Sequence, residues 1–219
     1  MSSHTVIVSG GSIQEEFALT FLREHSFRNL IGVDNGLAFL YRNRIRPTHI
    51  VGDFDTADPE LVTWYRSQED IEIRAFNPVK DATDTQIALE LALELGSSSV
   101  TILGAMGSRL DHTLGNVQTM ALALSAGVDC QMLDARNRIR LIRKPVVIRK
   151  EEQYGDYVSL LPLTTLVEGV CLKGFKYPLT DFTLTSTGSA GLGVSNEIVE
   201  AEGQIVFTKG VLILIEARD

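Results

Sequence analysis

Residues 81–104, DATDTQIALELALELGSSSVTILG, decide the fold class. Ile87, Leu91 and Leu95 recur at i, i+4 and i+8, the period of a helix with one apolar stripe. Asp81 reads as its N-cap, Asp84 follows at capping-box spacing, and Gly96 reads as its stop. Val100–Leu103 then switches to the short β-branched run of a strand. The same change of period recurs upstream. His4–Ser9, Leu30–Asp34, His49–Gly52 and Ile71–Ala75 are strand-like, and Gln14–His25 puts Phe17, Phe21 and Leu22 on one helical face. Asp58-Pro59-Glu60 supplies an N-cap, a proline at N1 and an acid at N2 for a helix towards Gln68. A further helix is expected from about Thr113 to Ser125. Strands alternating with helices predict an α/β domain, with a mostly parallel sheet and flanking helices.

Beyond residue 134 the helical period stops. Asn137–Arg143, Asp156–Leu161, Thr165–Leu172, Asp181–Ser186, Gly203–Phe207 and Val211–Ala217 are strand-like, with glycine and proline between them. An all-β sandwich or roll is expected over 135–219, following the α/β domain of 1–134. Composition narrows the function. Of 219 residues 44% are hydrophobic and 22% charged, and the net charge is −8, which opposes binding to a phosphate backbone and argues against a nucleic-acid partner. The two cysteines, Cys130 and Cys171, have no metal-like spacing. MSSHTVIVSGG lacks the pattern of a signal peptide, and no apolar run approaches the ~18 residues of a membrane span. A cytoplasmic protein without membrane contact is the expectation.

The polar residues gather where an open α/β sheet binds ligands, beyond the carboxyl ends of its strands. Asp34 closes LIGVD and is followed by Asn35-Gly36, while Asp53 and Asp55 lie in VGDFDT after the strand THIVG. Carboxylates at i and i+2 of an extended chain share one side and repel unless a cation or proton lies between them. Mg²⁺ takes one or two carboxylates together with phosphate oxygens, although such a pair alone reads more simply as an acidic, solvated turn. Lys80-Asp81-Ala82-Thr83-Asp84 brings a second pair, at i and i+3 of a helix, where capping alone is an equally good explanation. After Val100–Leu103, Gly104 and Gly107 allow close backbone approach, and Arg109 and His112 offer donors to phosphate; Arg109 could equally pair with Asp111. GxxxxGK[ST], GxGxxG and GxSxG are all absent, leaving metal-held phosphate as the simplest use of the acids. In the β half, Ser186–Asn196 reads as a plain connection or as a neutral polar lip for a small ligand. The basic residues Arg136, Arg138, Arg140, Arg143, Lys144 and Arg149 read as one solvated strand face, and Trp64 as helix packing.

In this order and spacing, Asp34-Asn35-Gly36, Gly52-Asp53-Phe54-Asp55-Thr56, Lys80-Asp81-Ala82-Thr83-Asp84, Ser108-Arg109-Leu110-Asp111-His112 and Gly193-Val194-Ser195-Asn196 resemble the thiamine pyrophosphokinases. The resemblance spans nearly the whole chain; Asn35 stands where the family has glycine, and Thr56 where serine is common. It implies transfer of the pyrophosphoryl group of ATP to the hydroxyl of thiamine, giving AMP and thiamine diphosphate. It also implies Asp53, Asp55, Asp81 and Asp84 as the catalytic carboxylates, with Asp53, Asp55 and Asp84 holding Mg²⁺. Asp34, Asn35, Thr83, Arg109, Asp111 and His112 would serve ATP, and Ser195 and Asn196 thiamine. The β half has no tryptophan, so Phe175 and Phe182 are its candidates for a ring contact. A homodimer is implied, with thiamine between the α/β domain of one subunit and the β domain of the other. Two rivals stay open at this point: a pyrophosphokinase for another hydroxymethyl heterocycle such as a pterin, and a non-catalytic thiamine or nucleotide sensor.

Overall fold

A computed structural model describes residues 3–52, 58–75, 82–107, 109–189 and 191–219. The chain divides into two compact units, Met1–Ala135 and Arg136–Asp219.

The first unit alternates strand and helix in the order β1 (His4–Val8), α1 (Glu15–Glu24), β2 (Asn29–Val33), α2 (Gly36–Arg42), β3 (His49–Gly52), α3 (Pro59–Arg66), β4 (Glu72–Ala75), α4 (Asp84–Glu94), β5 (Ser99–Leu103), α5 (Leu110–Ala126) and β6 (Asp129–Leu133). These strands lie in the order β4-β3-β2-β1-β5-β6, and every neighbouring pair is parallel. β1, β2 and β3 are buried almost throughout, which explains why they read as continuous apolar runs rather than as alternations. In α3 the Asp58 carboxylate accepts a hydrogen bond from Glu60 N–H at 2.9 Å, as the Asp-Pro-Glu start predicts.

α4 begins later than its periodicity suggests. The N-cap is Thr83, whose Oγ1 accepts from Gln86 N–H at 3.2 Å, so Asp84 is the first helical residue and not the third. A hydroxyl two residues inside the expected start satisfies one of the exposed N–H groups, so the N-cap position is Thr83 and not Asp81, which lies outside the described residues. α4 packs on α5 and over β1, β2 and β3, burying Ile87, Ala88, Leu89, Leu91 and Ala92. α5 starts three residues ahead of the expected Thr113. Among the described residues no helix is long and apolar enough to cross a membrane.

The second unit holds β7 (Asn137–Ile142), β8 (Val146–Arg149), β9 (Tyr157–Pro162), β10 (Leu166–Lys173), β11 (Leu179–Thr185), β12 (Glu202–Val206) and β13 (Leu212–Ala217). Antiparallel β7-β13-β9 and β11-β10-β12-β8 form its two layers. Between them lies one core, contributed by Val158 and Leu160 of β9, Leu212 and Leu214 of β13, and Val167, Val170, Leu172, Leu184 and Ile205 of the other layer.

The arginine face of β7 is not the solvated surface expected. Arg138 pairs across the ladder with Glu216, which follows Leu212 and Leu214 at the inward period of β13 and is fully buried. Its Oε1 accepts from Arg138 Nη2 at 2.6 Å and from Tyr154 N–H at 3.1 Å. Oε2 accepts from Arg138 Nε at 2.8 Å and Arg140 Nη2 at 3.0 Å. Burial alone would raise the Glu216 pKa, but the guanidiniums and the Tyr154 N–H outweigh it and hold the carboxyl below its ordinary range. A buried acid with two arginines on the neighbouring strand is therefore the reason for that basic alternation.

Glu216→Gln leaves the guanidiniums poorly compensated and is expected to cost about 3 kcal/mol, read by urea unfolding at pH 7. Because the folded carboxyl is the stronger acid, its stabilisation is complete above the unfolded pKa of about 4.3 and is lost as pH falls through the folded value. The wild-type chain should accordingly lose more stability than Glu216→Gln below about pH 4. Thr83→Ala should cost about 1 kcal/mol and Asp81→Ala much less, since the cap belongs to Thr83.

Candidate active site

Chain order in the first sheet runs outward from β1 to β4 on one side and resumes with β5 on the other, so the topology switches direction between β1 and β5. At such a point the segments leaving neighbouring strands part and open a crevice at the carboxyl ends. A cleft of about 470 Å³ lies there. Its walls are Ser9, Gly10 and Gly11 after β1, Asp34 and Asn35 after β2, and Gly104–Gly107 after β5. Asp84 and Thr85 from the start of α4, and Arg109, His112, Thr113 and Asn116 from the start of α5, complete it.

Backbone contact holds these walls together. Ser9 N–H donates to Leu103 C=O at 2.8 Å, Gly11 N–H to Gly104 C=O at 2.7 Å, and Ser12 N–H to Met106 C=O at 2.9 Å. A Cβ on Gly11 would stand 2.6 Å from the Gly104 oxygen, and one on Gly36 would stand 2.2 Å from the Val8 oxygen. Asp34 turns the chain into α2 from the left-handed region, at φ 49°. Two buried side-chain bonds fix the helices to the loops. Ser9 Oγ and Thr85 Oγ1 are 2.6 Å apart, and Asn116 Nδ2 donates to Ala105 C=O at 2.9 Å.

The cleft receives the amino termini of α4 and α5, whose exposed N–H groups and aligned dipoles favour phosphate. Arg109 and His112 add donors, while Asp34 and Asp84 add carboxylates. Asp111 acts one step back. Its carboxylate accepts from Arg109 Nη2 at 2.6 Å and Nε at 3.2 Å, and from His112 N–H at 2.9 Å. Arg109 first, with help from the His112 N–H, holds the Asp111 pKa down to about 2. The fork aims Arg109, and Asp111 itself is not among the cleft's walls. Thr83 is the exposed cap beside Asp84. Asp53, Asp55 and Asp81 lie outside the described residues.

Ser195 and Asn196 belong to the second unit. Their segment is zipped to β9: Leu160 N–H donates to Gly193 C=O, Ser195 N–H to Ser159 Oγ, and Asn196 exchanges both backbone bonds with Val158. Ser195 is exposed, with φ 57°. The buried Asn196 amide is committed to the chain, accepting from Tyr177 N–H and Glu197 N–H at 3.0 Å and donating to Tyr177 C=O at 2.8 Å. Of the aromatic candidates, Phe175 is core and Phe182 is partly exposed. Tyr177, at 58% exposure and held by Asn196, is an aromatic residue that the spacing arguments missed.

Residues 22–132 match the family described as Thiamin pyrophosphokinase, catalytic domain, and residues 145–212 match Thiamin pyrophosphokinase, vitamin B1 binding domain. The chain belongs to the thiamine pyrophosphokinase family. The thiamine pyrophosphokinase of Bacillus subtilis (strain 168) is 32% identical, the match covering 97% of this chain and 98% of that one. Among solved structures, thiamine pyrophosphokinase from B. subtilis superposes with a TM-score of 0.86 at 30% identity over 99% of this chain and 100% of the other. The protein from Geobacillus thermodenitrificans gives 0.84 at 30% identity over 99% and 98%.

Within this family site, sequence reasoning missed Ser9, Gly10, Gly11, Thr85 and Asn116. A Ser-Gly-Gly directly after the first apolar strand was the available signal, since small residues at a strand's carboxyl end permit close backbone approach. Gly36→Ala should cost about 1–3 kcal/mol, because the new methyl meets the Val8 carbonyl, and should weaken nucleotide binding further. Gly115→Ala, in α5 with nothing within 4 Å of the new Cβ, should stabilise by about 0.5–1 kcal/mol. Thermal melts with and without ATP separate the two outcomes.

Proposed function

We propose that the cleft at the β1/β5 switch point binds ATP with Mg²⁺ for pyrophosphoryl transfer to thiamine, and that the second unit supplies the thiamine side. The observation that carries this reading is the convergence of two helix amino termini, Arg109 and His112 with the carboxylates Asp34 and Asp84 in one cleft. An all-oxygen donor set suits a hard cation that also binds phosphate oxygens. Asp53, Asp55 and Asp84 would hold Mg²⁺, which when bound neutralises charge on the phosphate oxygens.

Members of this family are pyrophosphokinases, and this chain transfers the pyrophosphoryl group of ATP to thiamine. The thiamine hydroxyl oxygen bonds to the β-phosphorus as the bond from that phosphorus to the α-bridging oxygen breaks. AMP leaves with that electron pair, and the hydroxyl proton passes to one of the carboxylates Asp53, Asp55, Asp81 and Asp84. The protein's work is in-line positioning and charge stabilisation. The α4 and α5 amino termini and Arg109 face the charge that builds on the moving group, while Asp111 keeps Arg109 in place. Asp34, Asn35, Thr83 and His112 shape the nucleotide side. Ser195, its N–H held by Ser159 Oγ, offers its exposed hydroxyl to thiamine, and Asn196 acts by fixing Tyr177. The working assembly is a homodimer, with thiamine between the α/β unit of one subunit and the β unit of its partner.

Incubation with ATP, thiamine and Mg²⁺ should give AMP and thiamine diphosphate in equal amounts, and neither without metal. ADP with thiamine monophosphate would place the attack at the γ-phosphorus and overturn the mechanism. Asp53→Asn, Asp55→Asn and Asp84→Asn should each lower turnover more than about 10²-fold with the fold intact by circular dichroism. Near-normal turnover in any one removes that residue from the metal set.

A further inference from the structure

α2, α4 and α5 end in the same way. After α4, Ser97 N–H donates to Ala92 C=O and Gly96 N–H to Leu93 C=O; after α5, Val128 and Gly127 repeat the pattern to Ala123 and Leu124. In both, the residue forced into the left-handed region is glycine, at φ 71° and 73°. After α2 the same two bonds form, Ile45 N–H to Leu40 C=O and Arg44 N–H to Tyr41 C=O, but the left-handed residue is Arg44 at φ 56°. A side chain there is strained where glycine is not, so this end of α2 holds a guanidinium against the local backbone preference.

Arg44 lines a second cavity of about 460 Å³, together with Tyr41, Arg42, Ile45, Arg46 and Trp64. That volume is within the range of small-molecule sites. Arg46 is paired with Asp70, whereas Arg42 and Arg44 have no acidic partner among the described residues. Trp64 meets Tyr41 and Tyr65 edge to face, at 4.9 Å between ring centres in each pair. The cavity is remote from the catalytic cleft by topology. α2 and α3 start at the carboxyl ends of β2 and β3 and run back, so their last turns lie at the opposite end of the sheet. Helix-dipole compensation does not account for Arg44, since Arg42 already occupies the last turn of α2 and neither α4 nor α5 carries a basic residue there.

We propose that this cavity is a second ligand site, taking a small molecule with a planar heteroaromatic ring and a phosphate or diphosphate group. Arg42 and Arg44 receive the phosphate, and Tyr41, Ile45 and Trp64 receive the ring. Both products of the reaction in "Proposed function" have this chemistry, but the cavity stands on its own residues and not on that reading.

Trp64 is the chain's one tryptophan, so its fluorescence reports on this cavity directly. AMP, thiamine diphosphate and ring-free pyrophosphate are titrated separately against the intact protein. Saturable quenching is expected with AMP, thiamine diphosphate or both, and whichever binds identifies the source. Binding should weaken at least about 10-fold in Arg44→Gly and in Arg42→Gln, while turnover at saturating substrate is unchanged. Arg44→Gly should also raise Tm, by roughly 2–4 °C, because the strain is relieved as the ligand contact is lost. Quenching that both variants leave intact, or none with either ringed compound, overturns the proposal. Pyrophosphate binding as tight as the ringed compounds overturns its ring half. A lowered Tm in Arg44→Gly would show that the guanidinium serves the fold and overturns the argument from strain.

Discussion

The approach of the Gly36 backbone to the Val8 carbonyl governs the catalytic unit. With no Cβ between them, α2 starts directly against the end of β1, while the segments leaving β1 and β5 are hydrogen-bonded to each other. Everything that makes the cleft follows from that convergence. The loops become its walls, and the Ser9–Thr85 and Asn116–Ala105 bonds bring the amino termini of α4 and α5 to it. A cavity with oriented N–H groups on two sides needs few charged side chains to hold phosphate. This reconciles a chain of net charge −8 with a polyanionic substrate.

Charge in both units is arranged through intermediaries. Asp111 spends both oxygens on Arg109 and the His112 N–H, so its contribution to the cleft is the direction of a guanidinium. Asn196 stands in the same relation to Tyr177, and Arg138 with Arg140 to the buried Glu216. Asn196 and Glu216 draw these partners from elsewhere in the chain, whereas Asp111 finds its own within two residues. Among the described residues, four non-glycine residues have positive φ: Asp34 lines the cleft, Ser195 lies in the segment proposed for thiamine, Arg44 lines the second cavity, and Asp181 lies on β11. Strained backbone marks three places where ligand contact is proposed.

Much of the architecture was legible because its signals are local. α4 announced itself through Ile87, Leu91 and Leu95, α3 through Asp58-Pro59-Glu60, and the β half through its strand-length runs. The elements that escaped notice lack such signals. α2 is seven residues, GLAFLYR, without a polar face to define a stripe, and β8 is four residues bounded by basic and proline-containing turns. Phe175 and Tyr177 are two residues apart and look interchangeable as ring donors. Only packing separates them, putting one in the core and the other at the surface.

By itself the sequence determined the order of strands and helices, the division into an α/β and a β half, the acidic motifs at strand ends and the family they resemble. All of these depend on neighbours within a few residues, where periodicity, capping and turn chemistry act. The tertiary structure alone decided the start of α4 at Thr83, the switch point between β1 and β5, and the inward face of the β7 arginines. It alone showed that Asp111 and Asn196 work through other groups and that Arg44 occupies a glycine's place. Glu216 and Asn196 meet their partners across 78 and 19 residues of chain, while the Thr83 cap, the Arg109–Asp111 fork and the Arg44 turn are local contacts selected among competing local alternatives by the packing around them.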